Sequence, residues 1–313
     1  MEQIVTVTVN PSLDVSATVE RLEPHKKLRI HNVRRDAGGG GINVARAIHM
    51  LGGEAHAVYT AGGAIGRHLE ALLRSTGVTH KAIPIDEQTR ENFTVYEQLC
   101  GIEYRFVMPG PTLREAEWRA LIDTVAALDA AYVVLSGSLP AGVPENFYKL
   151  LIQRVKHAHT KVVLDTSGAA LNAGLAEGVF LVKPNLRELQ SATGASLDTD
   201  EAREAAARSL IDEGRTEVVA LTLAEHGALF VWREGALRLP APKVEACSSV
   251  GAGDSFVAGL VLRLAQGASR ETAFRFALAA GTAALLTPGT ALCRREDAER
   301  LYEALGHEVV RDP

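Results

Sequence analysis

The chain has 313 residues, 47% of them hydrophobic and 23% charged, with a formal net charge of −5. This is ample apolar material for a large core in one or two domains. The acidic balance disfavours a nucleic-acid binder, which is usually basic, but not a phosphorylated ligand, whose binding local arginines and lysines decide.

The opening MEQIVTVTVN alternates like a strand, 4–9, and lacks the charged-then-apolar layout of a signal peptide. Residues 13–35 read as a hairpin turning at Glu23-Pro24-His25. A helix at 41–51, a strand at 55–61 and a helix at 64–76 follow. A second hairpin, 88–108, turns at Cys100-Gly101. Then come a helix at 114–127, a strand at 132–137, a helix at 144–157, and strands at 161–166 and 179–184. A helix at 199–213, strands at 218–223 and 228–232, and helices at 253–266 and 270–286 close the chain. Several strands are nearly continuous apolar runs, as in a parallel sheet covered on both faces. The β-α rhythm predicts a three-layer α/β fold with a mainly parallel sheet. The two hairpins interrupt it and are expected to form a small projecting β-sheet lid. Such a sheet, covered on one face, seeks a partner, which suggests a dimer built lid against lid.

Cys100, Cys247 and Cys293 are far apart and form no C-x-x-C pair, so neither a disulfide framework nor a zinc site is indicated. No run of 18 apolar residues occurs, and a cytoplasmic protein is expected. Asn92 in N-x-T is then a chance sequon. No phosphate-binding G-x-x-x-x-G-K-[ST] exists; GGAIGRH at 62–68 lacks the lysine. A dinucleotide-binding G-x-G-x-x-G after the first strand is also missing.

Four stretches carry candidate chemistry. In SSVGAGDSF, Gly251, Ala252 and Gly253 lead into a helix whose free amides and dipole favour an anion. The same field is expected to keep Asp254 ionised, placed to take a proton from an alcohol while the amides hold a phosphoryl group. Equally, Asp254 is a first-turn residue and the glycines make a turn. In DAGGGGINVARAI, four glycines are a costly choice for a mere connector, and Asn43 offers an amide to hydroxyls. In VKPNLREL, Asn185 and Glu188 share a helical face and suit water-mediated magnesium, or simply cap the helix. In VTVNPSLD, Asp14 follows the first strand and binds sugar hydroxyls or closes an Asx turn.

Together with SGSLPAGV at 136–143, these stretches resemble the PfkB, or ribokinase-like, carbohydrate kinases over essentially the whole chain, read as one domain spanning 1–313 with a β-clasp. Within that family, GGGGINVARAI and YRFVMPG are closest to the 6-phosphofructokinase branch; relatives acting on fructose 1-phosphate or tagatose 6-phosphate more often carry lysine where Gly40 stands. The resemblance implies ATP, magnesium, a sugar phosphate and a homodimer. It makes Asp254 the base on the sugar 1-hydroxyl, and Gly251, Ala252 and Gly253 the anion hole. Asp14, Gly39, Gly40, Asn43 and Ser138 would surround the sugar, and Arg90 would bind its phosphate. Lys27 and Arg29 would reach the neighbouring subunit's sugar phosphate. Lys183, Asn185, Thr222, Gly227 and Ser249 would meet ATP, with Asn185 and Glu188 organising magnesium. Ser248, Val250, Ala284, Thr287 and Gly289 would hold potassium. Two departures stand out. In TLAEHG, Ala224 replaces a family glycine and Glu225 adds charge near phosphates; and Ser248 stands where many relatives have aspartate. A kinase for another phosphosugar or a nucleoside, and a non-catalytic sugar- or nucleotide-binding protein, are the other readings.

Overall fold

The computed structural model describes residues 2–156 and 159–308. In chain order it runs β1 (Ile4–Thr8), β2 (Ser12–Val19), β3 (His31–Gly38), α1 (Gly40–Met50), β4 (His56–Ala61), α2 (Gly63–Thr76), β5 (Thr79–Pro84), β6 (Arg90–Glu97) and β7 (Ile102–Val107). It continues with α3 (Glu115–Ala126), β8 (Tyr132–Ser136), α4 (Phe147–Val155), β9 (Lys161–Asp165), α5 (Gly168–Leu175), β10 (Val179–Val182), α6 (Leu186–Thr193) and α7 (Asp200–Asp212). The last part holds β11 (Thr216–Thr222), β12 (Ala228–Trp232), β13 (Gly235–Leu239), α8 (Ala252–Ala265), α9 (Arg270–Ala284) and α10 (Arg295–Glu308).

Among the described residues, nine strands form one sheet in the order β13-β12-β11-β10-β9-β8-β1-β4-β5. Pairing is parallel from β11 to β5, and antiparallel at β11–β12 and β12–β13. Successive strand residues feed opposite cores. Val134, Val163 and Val218 pack under α1, α8 and α9, whereas Leu135, Leu164 and Val219 pack under α3, α4 and α7. Both faces are thus dry, which explains the apolar runs of β8 and β11. The expected helix at 144–157 is shorter, Phe147–Val155, and its residue 157 lies outside the described residues. The chain does not close on α9, because α10 follows and packs against it.

The two hairpins are present and form one four-stranded sheet in the order β3-β2-β6-β7. The parallel β2–β6 pairing, Ser12↔Arg90 to Val19↔Glu97, joins them. The functional consequence lies at β1. Its neighbours β8 and β4 are reached by crossovers leaving in opposite directions, and the ends of β8 and β9 line a crevice beside it, as expected of a switch point in a parallel sheet.

Candidate active site

The glycine run sits where β3 turns into α1 at this crevice. A Cβ on Gly38 would overlap Asp14 Oδ2, and one on Gly40 would overlap Ser136 Oγ. Neither position accepts a side chain without displacing its neighbour, so the run allows close approach rather than flexibility. It brings Asn43, Asp14 and the end of β8 together.

Helix α8 starts from Gly251, whose φ of 77° is in the left-handed region. Its first bonded amide is Ser255 N, donating to Gly251 O at 2.8 Å. Among the described residues the amides of Gly251, Ala252, Gly253 and Asp254 have no acceptor. They form the free helix terminus that an anion would occupy. Lys183 reaches the same place: a Cβ on Gly253 would lie 3.8 Å from its Nζ. That is ordinary contact, so packing within the chain does not itself demand glycine there.

Asp254 accepts from Asn43 Nδ2 at 2.9 Å. Burial pushes its pKa up to about 6 and Asp165 adds to the rise, while Asn43 and Lys183 pull it back. The sequence reading expects the helix field to keep Asp254 ionised; burial works against the charged form, yet a value of about 6 still leaves the carboxylate ionised at neutral pH. Lys183 Nζ pairs with Asp165 Oδ1 at 3.0 Å; burial works against its charge, but the pairing prevails and its pKa is raised.

Asp14 accepts from Ser12 Oγ at 2.7 Å and from Asn92 Nδ2 at 3.0 Å. Burial still raises its pKa. Arg90 donates through Nη2 to Asn10 O and through Nη1 to Met108 O. Its Nε is buried and has no partner among the described residues, and the residue itself lines the cleft around Asp254. Asn10 Nδ2 donates to Ser138 Oγ at 3.1 Å.

A cleft of about 370 Å³ gathers Asp14, Gly39, Gly40, Asn43, Arg90, Ser138, Glu188, Val250, Gly251 and Asp254. Lys27 and Arg29, exposed in the β2–β3 connection, and the exposed Ser249 are not among its lining. Asn185 and Glu188 form a capping box, Asn185 N to Glu188 Oε2 at 2.9 Å and Glu188 N to Asn185 Oδ1 at 3.0 Å. Thr222 lies beside Asn185 through an isolated bridge. Gly227 O accepts from Leu223 N, closing the turn that holds Ala224 at φ 52°. Glu225 points outward, with its side chain 79% exposed. Cys247 N donates to Leu285 O, bringing the Ser248–Val250 segment to the end of α9. There Thr287 Oγ1 donates to Ala284 O at 2.8 Å, and Gly289 lies beside Ser16.

Several residues of this region escaped the sequence reading. Asp165 and Arg105 line the cleft, Asn92 holds Asp14, and Arg46 touches Asn43. Asp165 ends a strand that was legible, but its importance depends on Lys183 arriving from the neighbouring strand.

The model of the pfkB family of carbohydrate kinases matches residues 5–297. The chain belongs to that family. The ATP-dependent 6-phosphofructokinase isozyme 2 of Mycobacterium tuberculosis is 45% identical over 96% of this chain and 89% of its own. The 1-phosphofructokinase of Xanthomonas campestris is 38% identical over 91% of this chain and 94% of its own. Phosphofructokinase-2 from Escherichia coli, solved in complex with fructose-6-phosphate, superposes with a TM-score of 0.93 at 39% identity, over 98% of this chain and 100% of its own. Its complex with potassium gives 0.94 at 40% identity, over the same shares. The fold is the ribokinase-like one.

Proposed function

We propose that this kinase transfers the γ-phosphoryl group of ATP to the 1-hydroxyl of fructose 6-phosphate. One observation carries the reading. A single cleft holds the half-buried carboxylate Asp254 at a helix terminus with free amides and, elsewhere on its wall, the guanidinium of Arg90. A substrate that is both an alcohol and a phosphate satisfies both.

In the proposed reaction, Asp254 takes the proton of the 1-hydroxyl as its oxygen bonds to the γ-phosphorus. The bond to the bridging β-phosphate oxygen breaks, and ADP leaves. The amides of Gly251, Ala252 and Gly253 and the Lys183 ammonium meet the charge on the moving group. Arg90, with Arg105 on the same wall, holds the 6-phosphate, while Asp14 and the backbone at Gly39 and Gly40 face the sugar. Thr222, Gly227 and Ser249 are assigned to the nucleotide.

Magnesium fits through water. Asp165 and Glu188 place carboxylates in the cleft, while no group of three His, Cys, Asp or Glu suited to direct ligation occurs among the described residues. Bound there by Asn185 and Glu188, it would neutralise phosphate charge. The potassium assignment, Ser248, Val250, Ala284, Thr287 and Gly289, offers the oxygen atoms such an ion prefers on two segments tied by the Cys247–Leu285 bond.

Nine of the ten exposed large hydrophobic residues among the described residues, all but Met50, lie in the two lid hairpins, Leu99 at 65% and Val107 at 63% exposure among them. That surface supports a homodimer through the lid, with Lys27 and Arg29 directed to the neighbouring subunit's sugar phosphate. The chain is read as one sugar-kinase domain in the cytoplasm; no helix among the described residues is long and apolar enough to cross a membrane.

Substrate choice rests on Gly40. A lysine there, as in many relatives acting on fructose 1-phosphate or tagatose 6-phosphate, would press on Ser136. The test is kcat/KM with ATP for fructose 6-phosphate, fructose 1-phosphate and tagatose 6-phosphate. The highest value is expected for fructose 6-phosphate; a higher value for either competitor overturns the assignment.

A further inference from the structure

Arg46 lies on α1 within a turn of Asn43 and is only 7% exposed. Its Nη1 donates to Ala37 O at 2.6 Å and to Asn43 Oδ1 at 3.4 Å, and its Nη2 donates to Asp36 Oδ1 at 3.1 Å. Asp36, also 7% exposed, is held in turn by Thr290 Oγ1 at 2.8 Å and by Arg34 Nε at 2.8 Å. The guanidinium is therefore held from β3 and α1, and its anchor Asp36 is held from the segment after α9.

An asparagine amide has an accepting end and a donating end. A guanidinium has only donors and keeps its charge. Facing Arg46, Asn43 must present its oxygen, which turns its NH₂ group toward Asp254. Reversal would set the amide oxygen against a carboxylate and the NH₂ against a guanidinium. Asn43 supplies the one hydrogen bond to the Asp254 carboxylate among the described residues. The other charged groups facing Asp254 are Asp165 at the end of β9, Lys183 after β10 and Asp14 in β2.

We propose that Arg46 is a positioning residue for phosphoryl transfer: anchored by Asp36, it fixes the Asn43 amide so that a donor caps one oxygen of Asp254 and leaves the other to take the sugar proton. This rests on the reading of Asp254 as the base, yet it concerns a hydrogen bond measurable without turnover.

The experiment follows the Asp254 side-chain carboxyl through a pH titration by ¹³C NMR, with Asp254→Asn identifying the resonance. The kcat profile with ATP and fructose 6-phosphate is recorded beside it. Arg46→Met and Asn43→Ala should each raise the Asp254 midpoint by about one unit, because a donor to the charged form is lost. The acid limb of kcat should move the same way. Arg46→Lys, which keeps a donor on a different arm, should move the midpoint less than half as far. An unchanged midpoint in Asn43→Ala or Arg46→Met overturns the proposal, as does an equal shift in Arg46→Lys. If Arg46→Met does not fold, Asn43→Ala decides alone, since it leaves the Arg46–Asp36 pair in place. Absence of turnover in the unaltered enzyme would count against the proposed function, whereas the NMR midpoint tests the relay itself.

Discussion

Lys183 Nζ lies 3.0 Å from Asp165 Oδ1, and this ion pair sits beside the first turn of the helix that carries Asp254. One cation thus serves two carboxylates. Burial first, and Asp165 second, push Asp254 up to about 6. A base works when ionised, so activity is full above that value and falls as pH drops through it. The kcat/KM profile should show an acid limb near pH 6. Asp165→Asn removes a negative neighbour and releases Lys183 to favour the Asp254 anion, so the limb should move to lower pH. A limb unmoved by that substitution would contradict the assigned coupling.

Arg90 spends Nη1 and Nη2 on backbone carbonyls and keeps its buried Nε free among the described residues. Losing a charge-assisted bond to phosphate costs about 1.5–3 kcal/mol. Arg90→Ala should raise KM for the sugar phosphate roughly 10- to 100-fold, with a smaller change in kcat and little in KM for ATP. Steady-state kinetics with each substrate varied in turn checks this.

The strands buried on both faces were legible because each is an apolar run of β-formers, as in VVALT at 218–222. The edge strands β5 and β13 were not: THKAIP and GALRL interleave exposed and covered residues and look like loops. The candidate site was legible where one local stretch builds it, as at Gly251–Asp254, whose amides have no acceptor among the described residues. It was not where the sheet creates it. Asn43 and Asp254 are 211 positions apart, and nothing near either residue announces their bond. Arg105 faces the cleft only because β7 pairs with β6 in the register Thr94↔Arg105.

Ala224 stands in the left-handed region, φ 52°, which glycine occupies without steric cost. An L-residue there costs about 1–2 kcal/mol, partly offset by the greater chain entropy that glycine loses on folding. Ala224→Gly should stabilise the protein by about 0.5–1 kcal/mol, the difference between those two effects, seen as a higher midpoint in urea denaturation. A lower midpoint would show that the turn is unstrained.

Lys27 is exposed in the β2–β3 connection, outside the lining of its own subunit's cleft. If it serves the neighbouring subunit, Lys27→Ala should mainly raise KM for the sugar phosphate. Mixing Lys27→Ala subunits with Asp254→Asn subunits should then restore part of the activity, because some sites regain both groups. No recovery in verified mixed dimers would assign Lys27 to its own chain or to neither site.

The most direct measurement is turnover of Asp254→Asn with ATP and fructose 6-phosphate, alongside calorimetric binding of the sugar phosphate. The expected result is kcat reduced by roughly 10²–10⁴ with sugar affinity largely kept, since the carboxylate acts on the proton in flight. Near-normal kcat in a correctly folded variant would remove Asp254 as the base.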